Sequence, residues 1–226
     1  MPIAKTMIYD CLTYFEFFFA EVCDAKVDLG VLLDGSGSIE YYGKGNFKRC
    51  LDFVKKLFSF FPVSQEKAHV GFVLFSTSPN LQFDFKKYFD HASVNTAIDS
   101  VVYPKGLTYT GKALEMVKTE LFDKTARPGV PHVLLVITDG RATDQVNGPT
   151  GHLHKAGVTV ISFGIGKGFD KQQLIDMASE PKNENVIEAD FQQMESVASK
   201  IKDIACKGKT FLTEHVLIRD LMLTGL

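Results

Sequence analysis

Short apolar runs alternate with amphipathic segments through most of this sequence, and this alternation constrains the fold more than any other feature. The first run, 27–33, is apolar with β-branched residues and leads into Gly and Ser, which is typical of a buried strand. Between the runs, apolar residues recur at helical spacing, as from Phe47 to Phe61, where Pro62 is expected to end the helix. Strands that alternate with helices predict an α/β fold, in which a mostly parallel sheet carries helices on both faces. The predicted parallel strands are 27–33, 69–75, 132–137, 158–165 and 185–188.

One further strand is predicted to run in the opposite direction. Residues 76–80 have turn chemistry, and residues 81–85 are interpreted as the return strand of a hairpin with 69–75. We therefore expect a doubly wound, six-stranded sheet with one antiparallel edge strand. The helices between the strands are predicted at 47–61, 94–101, 113–121, 174–178 and 191–205.

The domain organisation is predicted to be simple. No repeat or linker interrupts residues 26–206, which we interpret as one domain, and residues 207–226 are interpreted as a tail or linker. Residues 1–25 are interpreted as a leader or extension. Their apolar part, 7–20, contains two acidic residues and is too short to span a membrane, so no membrane insertion is expected. A degenerate signal peptide and an ordinary N-terminal extension both stay open for this segment.

The charge balance argues against nucleic acid as a partner. The chain has 27 acidic and 25 basic residues, and its net charge at pH 7 is −2. No run of five basic residues occurs, so the sequence lacks the electrostatic footprint of a nucleic-acid-binding surface.

Oxygen-bearing side chains follow the ends of several predicted elements. The first strand runs directly into Asp34-Gly-Ser-Gly-Ser38, in which the alternation places Asp34, Ser36 and Ser38 on one side of a tight loop. Gly106-Leu-Thr-Tyr-Thr110 precedes a helix, and Thr138-Asp-Gly140 follows the central strand. In open α/β sheets, ligands bind outside the carboxyl ends of the strands. Carboxylate and hydroxyl oxygens are ligands that Mg²⁺ prefers.

These three motifs, in this order, resemble the von Willebrand factor type A domain and its metal-ion-dependent adhesion site, abbreviated MIDAS. The resemblance covers about residues 26–206 and implies a Rossmann-like fold. It implies that Mg²⁺, or Mn²⁺ as an alternative, is the cofactor. The metal ligands implied by the resemblance are Asp34, Ser36, Ser38, Thr108 and Asp139, the last directly or through a water.

Simpler interpretations of the same residues stay open. Ser36 and Ser38 are also common turn and cap residues, and Asp139 alone would suit a turn. Thr110 is expected to cap the helix that follows it, and Asp144 to act as a cap or ion-pair partner. Around the site, the possible contacts of a bound ligand are Tyr41, Tyr42, Tyr109 and Arg141, for each of which a solvated side chain is the alternative.

Two segments depart from the family pattern. The link 39–46, which carries both Tyr41 and Tyr42, is a few residues longer than usual. Residues 144–151 are broken by Gly and Pro where the family runs a helix, which leaves the boundary of that helix open.

Two of the four cysteines flank the predicted domain. The resemblance implies a disulfide between Cys23 and Cys206, and the alternative is a pair of free thiols in a cytosolic protein. Cys50 lies on the apolar face of a predicted helix, so it is expected to be a buried free thiol. Cys11 lies in the leader.

The resemblance implies a secreted adhesion module of the extracellular matrix, similar to matrilin and collagen-associated domains. Such a module would use its cation to coordinate an acidic residue of collagen or of another matrix protein. An intracellular assembly module, a metal-dependent enzyme and a binding role without metal are alternatives. The three motifs contain no His or Glu that would serve as a general base, so we expect the chain not to be an enzyme. The oligomeric state is left open.

Overall fold

The computed structural model describes residues 23–24 and 26–207. Most of the predicted leader and nearly all of the tail lie outside these residues, so the division at residues 25 and 206 stays a prediction. Among the described residues, no helix is long and apolar enough to cross a membrane.

A six-stranded sheet occupies the centre of the described chain. Its strands are β1 (Val27–Asp34), β2 (Ala68–Phe75), β3 (Pro79–Phe83), β4 (His132–Thr138), β5 (Val158–Ile165) and β6 (Val186–Ala189). They are arranged in the order β3-β2-β1-β4-β5-β6. The pair β2 and β3 is antiparallel, and every other neighbouring pair is parallel. The predicted doubly wound sheet with one antiparallel edge strand is thus confirmed.

Helices cover both faces of this sheet. Alternate residues of β1 point to opposite faces: Leu29, Val31 and Leu33 belong to one apolar cluster, and Leu32 belongs to the other. The helices are α1 (Ser38–Tyr41), α2 (Asn46–Phe58), α3 (His91–Asp99), α4 (Thr110–Met116, continued by the π-helical segment Val117–Phe122 and by Asp123–Thr125), α5 (Asn147–Lys155), α6 (Lys171–Met177), α7 (Lys182–Asn185) and α8 (Met194–Lys207). Helices α2, α3 and α8 cover the first cluster, whereas α4, α5 and α6 cover the second.

Several predicted boundaries differ from the observed ones by a few residues, and three cases involve a proline. The return strand begins at Pro79 rather than at residue 81. A proline has no N–H group to donate within a sheet, but it is tolerated as the first residue of a strand. Helix α2 ends at Phe58, four residues before Pro62. The segment whose helix boundary was open forms α5, where Pro149 lies in the first turn and its missing N–H costs no helical hydrogen bond.

A pair of glycines forms a notch in the middle of the sheet. Gly30 of β1 and Gly71 of β2 are register partners. A Cβ atom on Gly71 would lie 2.5 Å from Leu121 Cδ1, and one on Gly30 would lie 3.0 Å from Leu121 Cδ2. The fully buried Leu121, in the π-helical segment of α4, therefore packs into this notch.

A buried ion pair lies at the amino end of β1. Asp28 is fully buried. Its carboxylate accepts hydrogen bonds from the Arg127 backbone N–H at 2.6 Å and from Arg127 Nε at 2.8 Å. The guanidinium also donates to the carbonyls of Val27 and Lys67. This carboxylate is therefore compensated by a fixed positive charge.

A disulfide joins the two ends of the described chain. Cys23 precedes β1, Cys206 lies in the last turn of α8, and their Cα atoms are 6.0 Å apart. The predicted pairing is thus confirmed. Cys50 is free and buried, as expected.

The substitution Gly71→Ala should destabilise the fold by about 1–3 kcal/mol, because the new methyl group overlaps Leu121 in a packed core. The substitution Leu121→Ala alone should cost about 2–5 kcal/mol. In the double variant, the new methyl group at position 71 occupies space that the Leu121 side chain has vacated. The double variant should therefore lose clearly less free energy of unfolding than the sum of the losses in the two single variants. Urea unfolding of the four proteins measures this coupling, and strictly additive costs would contradict the notch.

The substitution Cys206→Ser should lower the free energy of unfolding by about 3–5 kcal/mol, because the bond closes a very long loop in the unfolded chain. Urea unfolding with and without reductant gives the measurement. Reduced wild type should match the variant, and reductant should leave the variant unchanged. Equal stability of oxidised and reduced wild type would refute the prediction.

Candidate metal site

Three loops meet at the carboxyl end of the sheet because β1 and β4 are parallel neighbours. Leu33 of β1 is the register partner of Ile137 of β4, so Asp34 and Thr138 emerge side by side. The segment before α4 is fixed against the loop that follows β4 and against the residue that follows β2. The Thr108 carbonyl accepts a hydrogen bond from the Thr143 backbone N–H at 2.7 Å, and the Tyr109 N–H donates to the Ser76 carbonyl.

Asp34 forms the buried floor of this site. It is fully buried, and its Oδ1 accepts a hydrogen bond from the Ser36 backbone N–H at 2.7 Å. Its Oδ2 accepts one from Thr138 Oγ1, also at 2.7 Å. These bonds fix the orientation of the carboxylate, but neither donor carries a charge that neutralises it.

The two serines lie between this loop and Asp139. Ser38 Oγ donates to Asp139 Oδ1 at 2.8 Å, and Ser36 Oγ lies 2.9 Å from Ser38 Oγ. Asp139 Oδ2 is buried and has no hydrogen-bond partner. Burial of an unpartnered carboxylate oxygen is costly, so this atom fits the position of a ligand to a cation.

The hydroxyl of Thr108 reaches the same corner. A Cβ atom built on Gly140 would lie 3.4 Å from Thr108 Oγ1 and 3.8 Å from Ser38 Oγ, so both hydroxyls border the Asp139–Gly140 turn. The structure thus brings together all five residues that the sequence motifs suggest as ligands. Their role as metal ligands stays a prediction.

The electrostatics of the two acidic residues favour a cation. Burial and repulsion from Asp139 raise the pKa of Asp34 to about 7, although hydrogen bonds from Thr138 and Ser36 lower it. Burial raises the pKa of Asp139 to about 6, and hydrogen bonds from Ser38 and Ser36 offset part of this effect. Ionising both carboxyls is therefore unfavourable without a compensating positive charge.

The donor set suits a hard divalent cation. Two carboxylates and three hydroxyls supply only oxygen atoms, which is the preference of Mg²⁺ and Mn²⁺. Within residues 23–24 and 26–207, no group of three or more His, Cys, Asp or Glu side chains offers another metal site.

The possible ligand contacts border the site to different degrees. Tyr41 is 84% exposed and Tyr42 is 51% exposed, and their rings lie edge to face in the link after the first loop. A Cβ atom on Gly168 would lie 2.8 Å from Tyr42 Oη and 2.6 Å from the Asp139 carbonyl oxygen. Tyr42 therefore reaches the loop that carries Asp139.

The other two predicted contacts are engaged by neighbours. The Tyr109 ring is partly buried, and Lys112 Nζ lies 4.2 Å from its centroid. The Arg141 side chain is 77% exposed, and its Nε lies 3.5 Å from Asp170 Oδ2. Both residues flank the site, on the second and third loops.

The start of α4 is capped differently from the prediction. Thr110 was expected to cap the helix, but it is the first helical residue and is buried. The carboxylate of Asp144 caps the helix, because it accepts hydrogen bonds from the N–H groups of Gly111 and Lys112, each at 2.8 Å. The prediction for Thr110 was therefore wrong, and that for Asp144 as a cap is confirmed.

Two supporting residues had no sequence-based prediction. Thr138 orients Asp34, and its place in the Thr-Asp-Gly motif beside β1 was an available signal. Tyr103 Oη donates to the Ser36 carbonyl at 2.6 Å. No local pattern around Tyr103 indicates this contact, which links residues far apart in the sequence.

Comparison with known families identifies the chain. The family model of the von Willebrand factor type A domain matches residues 28–200. The chain belongs to this family. The predicted resemblance is therefore confirmed, and the MIDAS motifs lie within the matched residues.

The curated relatives of this type A domain chain include longer proteins. It is 28% identical to cochlin of Homo sapiens over 204 residues, which are 90% of this chain and 36% of cochlin. It is 33% identical to vitrin of Mus musculus over 189 residues, or 83% of this chain and 28% of vitrin. It is 30% identical to the collagen alpha-5(VI) chain of Mus musculus, with 81% of this chain and 7% of the collagen covered. The chain thus spans about a third of cochlin.

Among solved structures, the type A domain is similar to proximal thread matrix protein 1 from the mussel byssus, described with a zinc-occupied MIDAS motif. The TM-score is 0.77 and the identity 27%, over 82% of this chain and 47% of the other. The chain is therefore similar to a thread matrix protein and to a collagen chain, which is in line with the expectation of a non-enzymatic module.

The substitution Gly111→Ala should displace the Asp139–Gln145 loop, because a Cβ atom there would lie 2.1 Å from the Gln145 carbonyl oxygen and 3.0 Å from Asp144 Oδ2. We expect a loss of about 2 kcal/mol or more in stability, since backbone is overlapped and a helix cap is disturbed. Gly151→Ala is the matched control. It has no atom within 4 Å of the new methyl group and lies in α5, so it should stabilise by about 0.5–1 kcal/mol. Urea unfolding separates the two, and equal effects would contradict the assigned packing.

Proposed function

We propose that this type A domain binds a divalent cation and, through it, an acidic group of an extracellular matrix protein. The observation that carries the proposal is the buried, unpartnered Oδ2 of Asp139, beside the hydroxyls of Ser36, Ser38 and Thr108 and above the uncompensated carboxylate of Asp34. The zinc-occupied MIDAS motif of the mussel thread protein supports cation binding at the corresponding motif here.

Mg²⁺ is the proposed cation, with Mn²⁺ as an alternative. Ser36, Ser38 and Thr108 are neutral donors, and only Asp34 and Asp139 are acidic, so the protein side chains leave the ion incompletely neutralised and coordinated. When bound, the ion supplies a Lewis-acidic position that a carboxylate of the partner can occupy. The resemblance to a collagen chain and to a thread matrix protein supports a collagen-like or other matrix polypeptide as that partner.

The surroundings of the site suit protein recognition. Four large apolar or aromatic side chains are markedly exposed among the described residues: Tyr41, Tyr42, Val102 and Leu107. All four lie in or next to the first two of the three loops that carry the candidate metal ligands, which we call the metal loops. Exposed aromatic residues with few rotatable bonds are frequent anchors of protein interfaces. We propose that Tyr41 and Tyr42 contact the partner on one side, and that Tyr109 and Arg141 contact it on the other.

A secreted location is proposed on the basis of the Cys23–Cys206 disulfide. Structural disulfides persist in oxidising compartments and are rare in the cytosol. This bond favours a matrix adhesion module over an intracellular assembly module.

The substitution Asp34→Ala should abolish Mg²⁺-dependent binding to matrix proteins, because it removes the fixed carboxylate at the floor of the site. Surface plasmon resonance over immobilised collagens and other matrix proteins, in Mg²⁺ and then in EDTA, gives the measurement. Ser38→Ala is a second variant at a partly exposed position and should weaken Mg²⁺-dependent binding more than about tenfold.

Two controls accompany this measurement. Ser59→Ala removes an exposed hydroxyl that bonds only the Lys56 carbonyl, and it should leave binding unchanged. Circular dichroism establishes that each variant is folded. Binding that is equal in Mg²⁺ and EDTA, and equal in wild type and Ser38→Ala, would overturn the proposed function.

A further inference from the structure

A cleft of about 560 Å³ opens beside the proposed metal site, between the sheet edge and the loop that follows α3. One wall is formed by the β2–β3 turn and by β3, and the other by residues 100–106. Because β3 is the edge strand, no other described strand pairs with its outer side. A cleft between the edge of a sheet and a loop suits an extended polypeptide.

The cleft is continuous with the metal loops. Gly106 lines the cleft, and its carbonyl accepts a hydrogen bond from the Gly37 N–H, inside the first metal loop, at 3.0 Å. Thr77 lines the opposite wall, and its Oγ1 accepts a hydrogen bond from the Leu107 N–H, one residue before Thr108. The walls of the cleft are therefore bonded to the loops that carry the candidate ligands, so the cleft adjoins the metal position.

Lys105 gives the cleft its charge. Among the described residues that line it, Lys105 is the only charged one, and the others are apolar, hydroxyl- or amide-bearing, or glycine. Lys105 is exposed, and no ion pair within the described part of the chain involves it. An acidic group is the complementary chemistry for a site of this kind.

The backbone of Lys105 is strained. Its φ angle is 59°, which makes it the one residue other than glycine with a left-handed backbone among the described residues. Such a conformation costs about 1–2 kcal/mol for a residue with a Cβ atom, and strained residues cluster at functional sites. Gly or Asn would adopt this backbone at a lower cost, so Lys105 carries a local cost in stability.

We infer that the cleft is a second subsite for the same partner, and that Lys105 binds a second carboxylate on an extended peptide whose first acidic residue occupies the metal position. The inference rests on the proposed function, and it narrows the partner to a segment with two acidic residues. Val102, which is 81% exposed and lines the cleft, offers an apolar contact for the chain between those residues.

The test uses synthetic Gly/Pro-rich peptides with one glutamate, and a series with a second glutamate at increasing distances on either side. Their affinities for the full chain in Mg²⁺ are measured by fluorescence anisotropy. The best two-glutamate peptide should bind wild type about three- to tenfold more tightly than the one-glutamate peptide, as expected for one additional charge-assisted hydrogen bond at a partly open site.

The variant Lys105→Asn should remove this preference without weakening the one-glutamate peptide. Asn tolerates the left-handed backbone, so the melting temperature should be no lower than that of wild type. The matched control is Lys44→Gln, which removes an equal charge from the exposed link after the first metal loop and should keep the preference.

The possible results distinguish failure of the second subsite from failure of the proposed metal-dependent function. If both peptides bind in a Mg²⁺-dependent way but Lys105→Asn keeps the preference, the second subsite is overturned while the proposed function stands. A loss of preference in Lys44→Gln equal to that in Lys105→Asn also overturns it, because the effect is then one of general charge. If no peptide binds in a Mg²⁺-dependent way, both the subsite and the metal-dependent capture of carboxylates are overturned.

Discussion

Two acidic side chains buried side by side, at the carboxyl ends of neighbouring strands, are the constraint on which the site depends. At the other end of β1 the buried carboxylate of Asp28 is compensated by Arg127, as packing of a charge in a protein interior requires. Asp34 and Asp139 accept hydrogen bonds from hydroxyl and backbone donors, and no basic side chain among the described residues pairs with either. The same strand therefore carries one carboxylate that the fold neutralises with Arg127 and one for which the described residues supply no opposite charge.

The scaffold holds this arrangement by close packing on both faces of the sheet. The Gly30–Gly71 notch allows α4 to approach the sheet through Leu121, and α4 begins at Thr110, two residues after Thr108. Asp144 ties the start of α4 to the loop after β4, which carries Asp139. The positions of the second and third loops are thus coupled through one helix, so precision at the site follows from packing elsewhere in the domain.

Much of the fold and of the candidate site was predictable because the signals are local. The apolar runs gave the strands, and motifs at the ends of β1 and β4 indicated the carboxylates and hydroxyls that the structure brings together. Contacts between distant segments were not predictable in this way. The bond from Tyr103 to the Ser36 carbonyl depends on how loops fold back in three dimensions. The same holds for which helix Asp144 caps, since the sequence predicted a cap but did not indicate α4. The packing of Leu121 into the Gly30–Gly71 notch likewise joins three segments that lie far apart in the sequence.

The disulfide also determines how the domain would carry load. Cys23 precedes the amino end of β1, and the candidate site lies at its carboxyl end, about 25 Å away for eight residues of strand. A pull on the chain before Cys23 and after Cys206 passes through the covalent bond and bypasses the sheet. Tension along the polypeptide would therefore not load the parallel strands or the candidate site at their carboxyl ends, as long as the disulfide is intact.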